Sequence, residues 1–184
     1  MTEETQDQLR IKDGDIRLLT PGEIMLAQSV FKSAIDYSKA WIHRESYLPC
    51  NLQNRNAAMT PNGEIYFRDE YRDDFSQSTD HMQHRFIHEM SHVWQRERGM
   101  NVICRGLVSW LVSYRYTLDG RLLSKYPMEQ QAQIIADNFI LQTFGYEIWS
   151  HLENQKYPDI TLDGDISETV IRAGYRAALR GFSW

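Results

Sequence analysis

His88-Glu89-Met90-Ser91-His92 constrains this chain more than any other stretch. Histidines four residues apart lie just over one turn from each other on an α-helix, so both imidazoles leave the same face. The surrounding residues read as such a helix. Met82, Phe86, Met90, Val93 and Glu97 follow helical spacing along one side, with only the last polar, and Gly99 stands where a helix ending at Arg98 stops. The helix is expected to begin near Phe75 or Asp80. Two neutral imidazoles so placed can share one zinc ion. The Glu89 between them can take a proton from the water that such an ion activates.

A zinc site needs at least one more protein ligand. A metzincin would continue with Gly at position 95 and His at position 98. This chain has Gln95 and Arg98, which excludes that class, and no downstream cysteine pair suggests a zinc ribbon. His43, His81 and His151 carry no geometric argument. His84, one turn before His88, would crowd the ion and reads as a hydrogen-bonded neighbour or an exposed residue. The better candidate is Glu129, in Glu129-Gln130-Gln131-Ala132. It falls in the first turn of a helix opened by Pro127, with Met128, Ala132, Ile135 and Phe139 on its inner stripe. A helix N-terminus favours the ionised carboxylate, and Ala132 leaves room for close helix approach. The alternative for Glu129 is a solvated surface carboxylate. Asp137, two turns on, is either a surface residue or the group that orients a ligand histidine from behind. Tyr114, Arg115, Tyr116 and Tyr126 lie between the two helices in sequence. A phenol or guanidinium there can stabilise an oxyanion, with Tyr116 and Tyr126 as the candidates and ordinary packing as the default.

The rest of the chain sets bounds. Its 184 residues suit one domain, and 42% hydrophobic with 24% charged residues fits a globular protein. A net charge of -5 argues against nucleic acid as a partner. No apolar run approaches the roughly 20 residues that span a bilayer. The polar, acidic start Met1–Arg10 does not read as a secretory signal peptide. Cys50 and Cys104 read as ordinary thiols with no evident pairing, and Met90 and Trp94 as core.

Residues 1–19 read as a polar lead-in and residues 20–184 as a single domain. Thr20-Pro21-Gly22-Glu23 is a capping box that starts a helix, with Ile24, Ala27, Phe31, Ala34 and Ile35 on one stripe. Residues 41–48 predict a short strand. Residues 56–67 predict a hairpin turning at Pro61-Asn62-Gly63, whose second arm Glu64–Phe67 is a candidate edge for substrate. Residues 102–116, with Trp110 central, predict a buried helix, and Asp119-Gly120 a turn. Asp165 and Glu168 predict a second capping box, for a last helix ending at Gly181. The expected class is α+β: predominantly helical and zincin-like, with a small hairpin or sheet over the zinc cleft.

Three blocks together carry a family resemblance: Met59 to Phe67, Phe86 to Gln95, and Glu129 to Ala132. Over roughly residues 20–145 the chain resembles the gluzincin-like metallopeptidase domain at the C-terminus of some VgrG spike proteins, whose stand-alone relatives are Rhs- or Vgr-associated. The resemblance implies an antibacterial effector toxin of type VI secretion, acting as a zinc peptidase in the periplasm of a rival cell. It implies that His88 and His92 are zinc ligands, Glu129 the third ligand and Glu89 the catalytic base. No spike domain precedes the catalytic region, so delivery is expected to need a separate VgrG or Rhs carrier, and a toxin is expected to have an immunity protein. Gln133 departs from an acid that similar sequences can carry. Delivery by puncture needs no signal peptide, so the N-terminus is compatible with periplasmic action and equally with a cytoplasmic enzyme. The expected substrate is a peptide, a protein or a peptidoglycan cross-link peptide. Two alternatives stand beside this. One is a non-catalytic, zinc-stabilised adaptor of a secretion spike, in which His84 or Asp119 closes the fourth metal position. The other is a housekeeping cytoplasmic metallopeptidase.

Overall fold

The computed structural model describes residues 13–100, 113–155 and 159–182. Helix α1 (Pro21–Phe31) begins where its capping box predicts. Glu23 N–H donates to Thr20 Oγ1 at 3.1 Å, and Thr20 N–H donates to Glu23 Oε2 at 2.8 Å. The Glu23 carboxylate is fully buried, and such a charge is tolerated only when paired and hydrogen-bonded. It accepts two bonds from the Arg17 guanidinium, at 2.7 and 2.8 Å, and the Phe75 N–H at 2.9 Å. These bonds fasten strand β1 (Ile16–Leu18), which lies inside the expected lead-in, to α1 and to the Phe75–Gln77 turn. The ordered fold therefore starts earlier than Thr20. Gly22 permits the approach, because a Cβ there would meet Ser76 Oγ at 2.2 Å.

β1, β2 (Trp41–Arg44) and β3 (Ile65–Phe67) form one sheet in that order. β1 runs antiparallel to β2, and β3 runs parallel to it with Ile42 opposite Ile65. The expected hairpin reduces to one bridge, in which Met59 and Tyr66 exchange backbone bonds of 3.1 and 2.9 Å. Residues 56–58 depart from the ladder because the Gln53 amide binds Ala57 O and Tyr66 O instead, at 2.7 and 3.0 Å. With β2 on one side and Met59 on the other, and all three residues buried, β3 is not the free edge expected of Glu64–Phe67.

Helices α2 (Asp80–Glu97) and α3 (Met128–Thr143) pack antiparallel at the centre. α2 is capped by Thr79, and the chain turns away at Gly99 with φ +79°. Its Met82, Phe86, Met90 and Val93 are buried while Glu97 is exposed, as the stripe predicts. α3 follows Pro127, and thirteen of its sixteen residues are buried, so it is covered on every side. α4 (Tyr146–Glu153) and α5 (Glu168–Ala178) cover it. The expected second capping box does not form. Asp165 Oδ1 accepts the Ser167 N–H at 2.8 Å in a tight turn, so α5 starts later with Ser167 at its cap and stops at Ala178, short of Gly181. Of the helix expected over 102–116, residues 102–112, with Trp110 and Cys104, lie outside the described residues. Residues 113–116 are not helical, and Tyr116 bridges Leu162. Cys50 is a free, exposed cysteine. Among the described residues no helix is long and apolar enough to cross a membrane.

Candidate metal centre

The α2–α3 register decides which side chains meet. His92 faces Glu129 and, two turns back along α2, His84 faces Asp137 two turns on along α3. His88 lies between them on the same face of α2, and its Nε2 reaches Glu129 Oε2 at 3.5 Å. His92 Nε2 lies 3.1 Å from the same oxygen. One ligand atom from each of His88, His92 and Glu129 falls within 4.8 Å of the others, and all three residues are buried. They are the one such group of donors found among the described residues.

Gln95 holds His92 in place. His92 Nδ1 bonds Gln95 Oε1 at 2.8 Å, and Gln95 Nε2 donates to Met128 O at 2.9 Å. Gln95 thereby ties the histidine to the start of α3 and fixes the tautomer with Nδ1–H, leaving the Nε2 lone pair toward Glu129. Burial opposes charge on His92, but the Glu129 carboxylate outweighs it and lifts the pKa to about 9. Burial likewise pushes Glu129 up, and the two histidines more than reverse this, holding it well below the usual carboxylate range. Without a cation, a proton is drawn into the middle of the triad. Two buried imidazoles and one carboxylate sharing a single point are a donor set that fits zinc.

Glu89 stands beside the triad, and Thr60 Oγ1 donates to its Oε2 at 2.7 Å. Both residues are buried. A cleft of about 260 Å³ opens here, lined by His84, His88, Glu89, Tyr114 and the Asn56–Ala58 strip among others. Tyr114 lies with its ring 5.8 Å from that of His88. Its hydroxyl is pushed up, first by burial and then by Glu129 and Glu89, so it remains a phenol.

No family model matches the chain. Over 133 residues, 67% of its length, the chain is 41% identical to the type VI secretion system spike protein VgrG2b of Pseudomonas aeruginosa, of which it spans 13%. A solved structure, the effector domain of Pseudomonas aeruginosa VgrG2b, matches with a TM-score of 0.63 and 34% identity, across 83% of this chain and 87% of that one. The chain belongs to the VgrG2b effector-domain family.

In this VgrG2b-type domain, the residues expected at the site separate into two groups. His88, Glu89, His92 and Glu129 come together. Asp137 does not reach a ligand histidine. It is fully buried and accepts instead from His84 Nε2 at 2.7 Å, Gln133 Nε2 at 2.8 Å and the Tyr116 hydroxyl at 2.7 Å. Tyr116 bonds Asp137 and Tyr175, and Tyr126 donates to Thr117 O at 2.8 Å, so neither hydroxyl lines the cleft; Tyr114 does. Asp119 is engaged by Arg121 and Tyr126. The sequence reading missed Thr60 and the role of Gln95. Gln95 carried a local signal, a polar residue one turn beyond His92 on the same face; Thr60 carried none.

Proposed function

We propose that this VgrG2b-type domain is a zincin-like zinc peptidase, delivered as an antibacterial effector by type VI secretion. The convergence of His88, His92 and Glu129 beside Glu89 carries this reading. Kinship with a spike protein's effector domain supports the delivery route and a VgrG carrier as partner, and an immunity protein in the producer is part of the proposal. Action on peptide or peptidoglycan-peptide bonds in the target periplasm is part of the same proposal.

His88 Nε2, His92 Nε2 and a Glu129 carboxylate oxygen would hold the ion. A bound zinc supplies Lewis acidity, which polarises a scissile carbonyl and acidifies water. The residues of the chain do the rest. Glu89 Oε2 is held by Thr60, leaving Oε1 to take a proton from the attacking water as its oxygen bonds to the carbonyl carbon. The same oxygen returns that proton to the amide nitrogen as the C–N bond breaks. The Tyr114 phenol, which lines the cleft beside His88, would donate to the oxyanion. The scaffold alternative needs a fourth protein ligand, and among the described residues neither His84, whose Nε2 bonds Asp137, nor Asp119, bound by Arg121, joins the His88, His92 and Glu129 group.

The test is Glu89→Gln. Turnover of peptide should fall by about two to four orders of magnitude, while one zinc per chain and the melting temperature are kept. Equal turnover by the variant, or no metal in the wild type, would overturn the proposal.

A further inference from the structure

His84 is 97% buried by its 3% exposure, yet it lines the cleft with His88 and Glu89. Its Nε2 is bound to Asp137, while its Nδ1 is the buried side-chain nitrogen or oxygen with no partner among the described residues. A buried polar atom without a partner carries a desolvation penalty, which a native fold rarely leaves uncompensated. The opposite ring nitrogen is also held more firmly than packing alone requires. Asp137 is fixed by Gln133 and Tyr116 as well, and Tyr116 leans on the Tyr175 hydroxyl at 2.6 Å, which in turn accepts from Trp149 Nε1 at 3.3 Å. This chain of bonds orients one imidazole at the cleft.

We infer that His84 is a substrate-binding residue whose Nδ1 accepts a backbone N–H of the bound peptide, with Asp137 holding the ring as its positioning residue. In the tautomer that gives its hydrogen to Asp137 from Nε2, the ring presents an Nδ1 lone pair. The complementary group on a peptide is an amide N–H. His84 precedes His88 by one turn on the same face of α2, so the N–H it accepts belongs to a peptide bond beside the scissile one. This inference rests on the peptidase reading.

Two amide-bearing variants separate a binding role from a structural one. In His84→Gln the amide nitrogen sits near the old Nε2, so the bond to Asp137 is kept and the Nδ1 acceptor is lost. In His84→Asn the amide sits near the old Nδ1. Zinc-loaded wild-type protein is first given a degenerate octapeptide library, and the best-cleaved peptide is identified by mass spectrometry. That peptide, and copies N-methylated at one amide at a time, are then titrated onto Glu89→Gln protein with and without His84→Gln. Zinc content and melting temperature should not change with His84→Gln, and affinity for the peptide should fall about tenfold. One N-methylated copy should lose a similar factor on the Glu89→Gln protein and nothing further on the double variant. His84→Asn should recover part of the affinity even though its contact with Asp137 is broken. Unchanged affinity in His84→Gln, beside a wild type that cleaves, would overturn the role of His84 alone. A wild type that binds zinc and cleaves nothing in the library would overturn the peptidase reading and this inference with it. Should His84→Gln fail to fold, the N-methyl scan on Glu89→Gln decides, and a scan with no sensitive amide rejects the inference.

Discussion

Histidine faces carboxylate twice along the α2–α3 interface, and the two pairings have opposite character. At Asp137 three donors converge on one carboxylate: an imidazole N–H, an amide N–H and a phenol O–H. The carboxylate is saturated with donors, and the atom of this cluster left without a partner is His84 Nδ1. At Glu129 two imidazole nitrogens converge on one carboxylate oxygen, at 3.5 and 3.1 Å, and Gln95 fixes the tautomer that turns the His92 lone pair inward. That end has too many acceptors and calls for a cation. The same residue types on the same helix pair therefore make a carboxylate saturated with donors at one end and a donor set that fits a cation at the other. Counting donors against acceptors tells them apart where sequence spacing cannot.

The sharpest way to break this comparison is to remove each carboxylate in turn. Asp137→Ala should leave zinc binding intact and cost about 3 kcal/mol of stability, because it orphans buried donors on His84 and Gln133. For a chain of this size that is a fall of about 10 °C in melting temperature by calorimetry. Glu129→Ala should do the reverse, losing zinc on dialysis, while above about pH 9, where its pairing with a charged His92 has faded, the metal-free melting temperature changes little. Matching losses of metal and stability in both variants would mean that the two ends are not distinct.

A smaller effect is expected one contact further out. Gln95→Ala frees the His92 ring and removes its tie to Met128 O, so zinc affinity should fall by about 10- to 100-fold in a competition titration with a chelator. Unchanged affinity would show that α3 alone orients His92.

The smallest effect is a matter of protons. His92 in the metal-free protein titrates near 9, raised by Glu129 against burial, so at pH 7 it carries a proton that a metal must displace. Calorimetry in buffers of different ionisation enthalpy should register about one proton released per zinc at pH 7, and fewer as pH passes 9. The sign for stability follows. A raised folded pKa stabilises the metal-free protein below the unfolded value of about 6.5, and that contribution fades as pH rises through about 9. The Asp137 end, already saturated with donors, should contribute nothing to this release.

What was legible in the sequence was local. The Thr20 capping box, the helix bearing His88 and His92, and the helix after Pro127 each rest on signals within a few residues, and all three formed. Glu129 was legible because the demand for a third ligand met an inward-facing helix start. What escaped depended on contacts distant in sequence. Asp137 has helical spacing suited to either role, and only the α2–α3 register gives it His84 rather than a ligand histidine. Thr60 reaches Glu89 because Gln53 draws the Asn56–Ala58 strip out of the expected hairpin. The Asp165 box failed because the Asp165 carboxylate takes the Ser167 N–H in a tight turn, and the helix starts after Ser167 with no side-chain cap.

The wall of the cleft opposite the ligands has a consequence for the order of events. Tyr114 is held by Thr161, whose hydroxyl donates to its carbonyl at 3.0 Å, and the neighbouring backbone is stitched to residues 161–163 through Tyr116. Tyr116 is held in turn by Tyr175, near the end of the described chain. The four residues expected to do the chemistry all precede position 130, but Tyr114 on the cleft wall is held by Thr161, and Asp159 and Thr161, in the last quarter of the polypeptide, line the cleft themselves. In a growing chain the four residues of the proposed site therefore precede the segment that holds Tyr114 in place. The cleft wall is complete only when residues 161–163 have folded back onto residues 114–116.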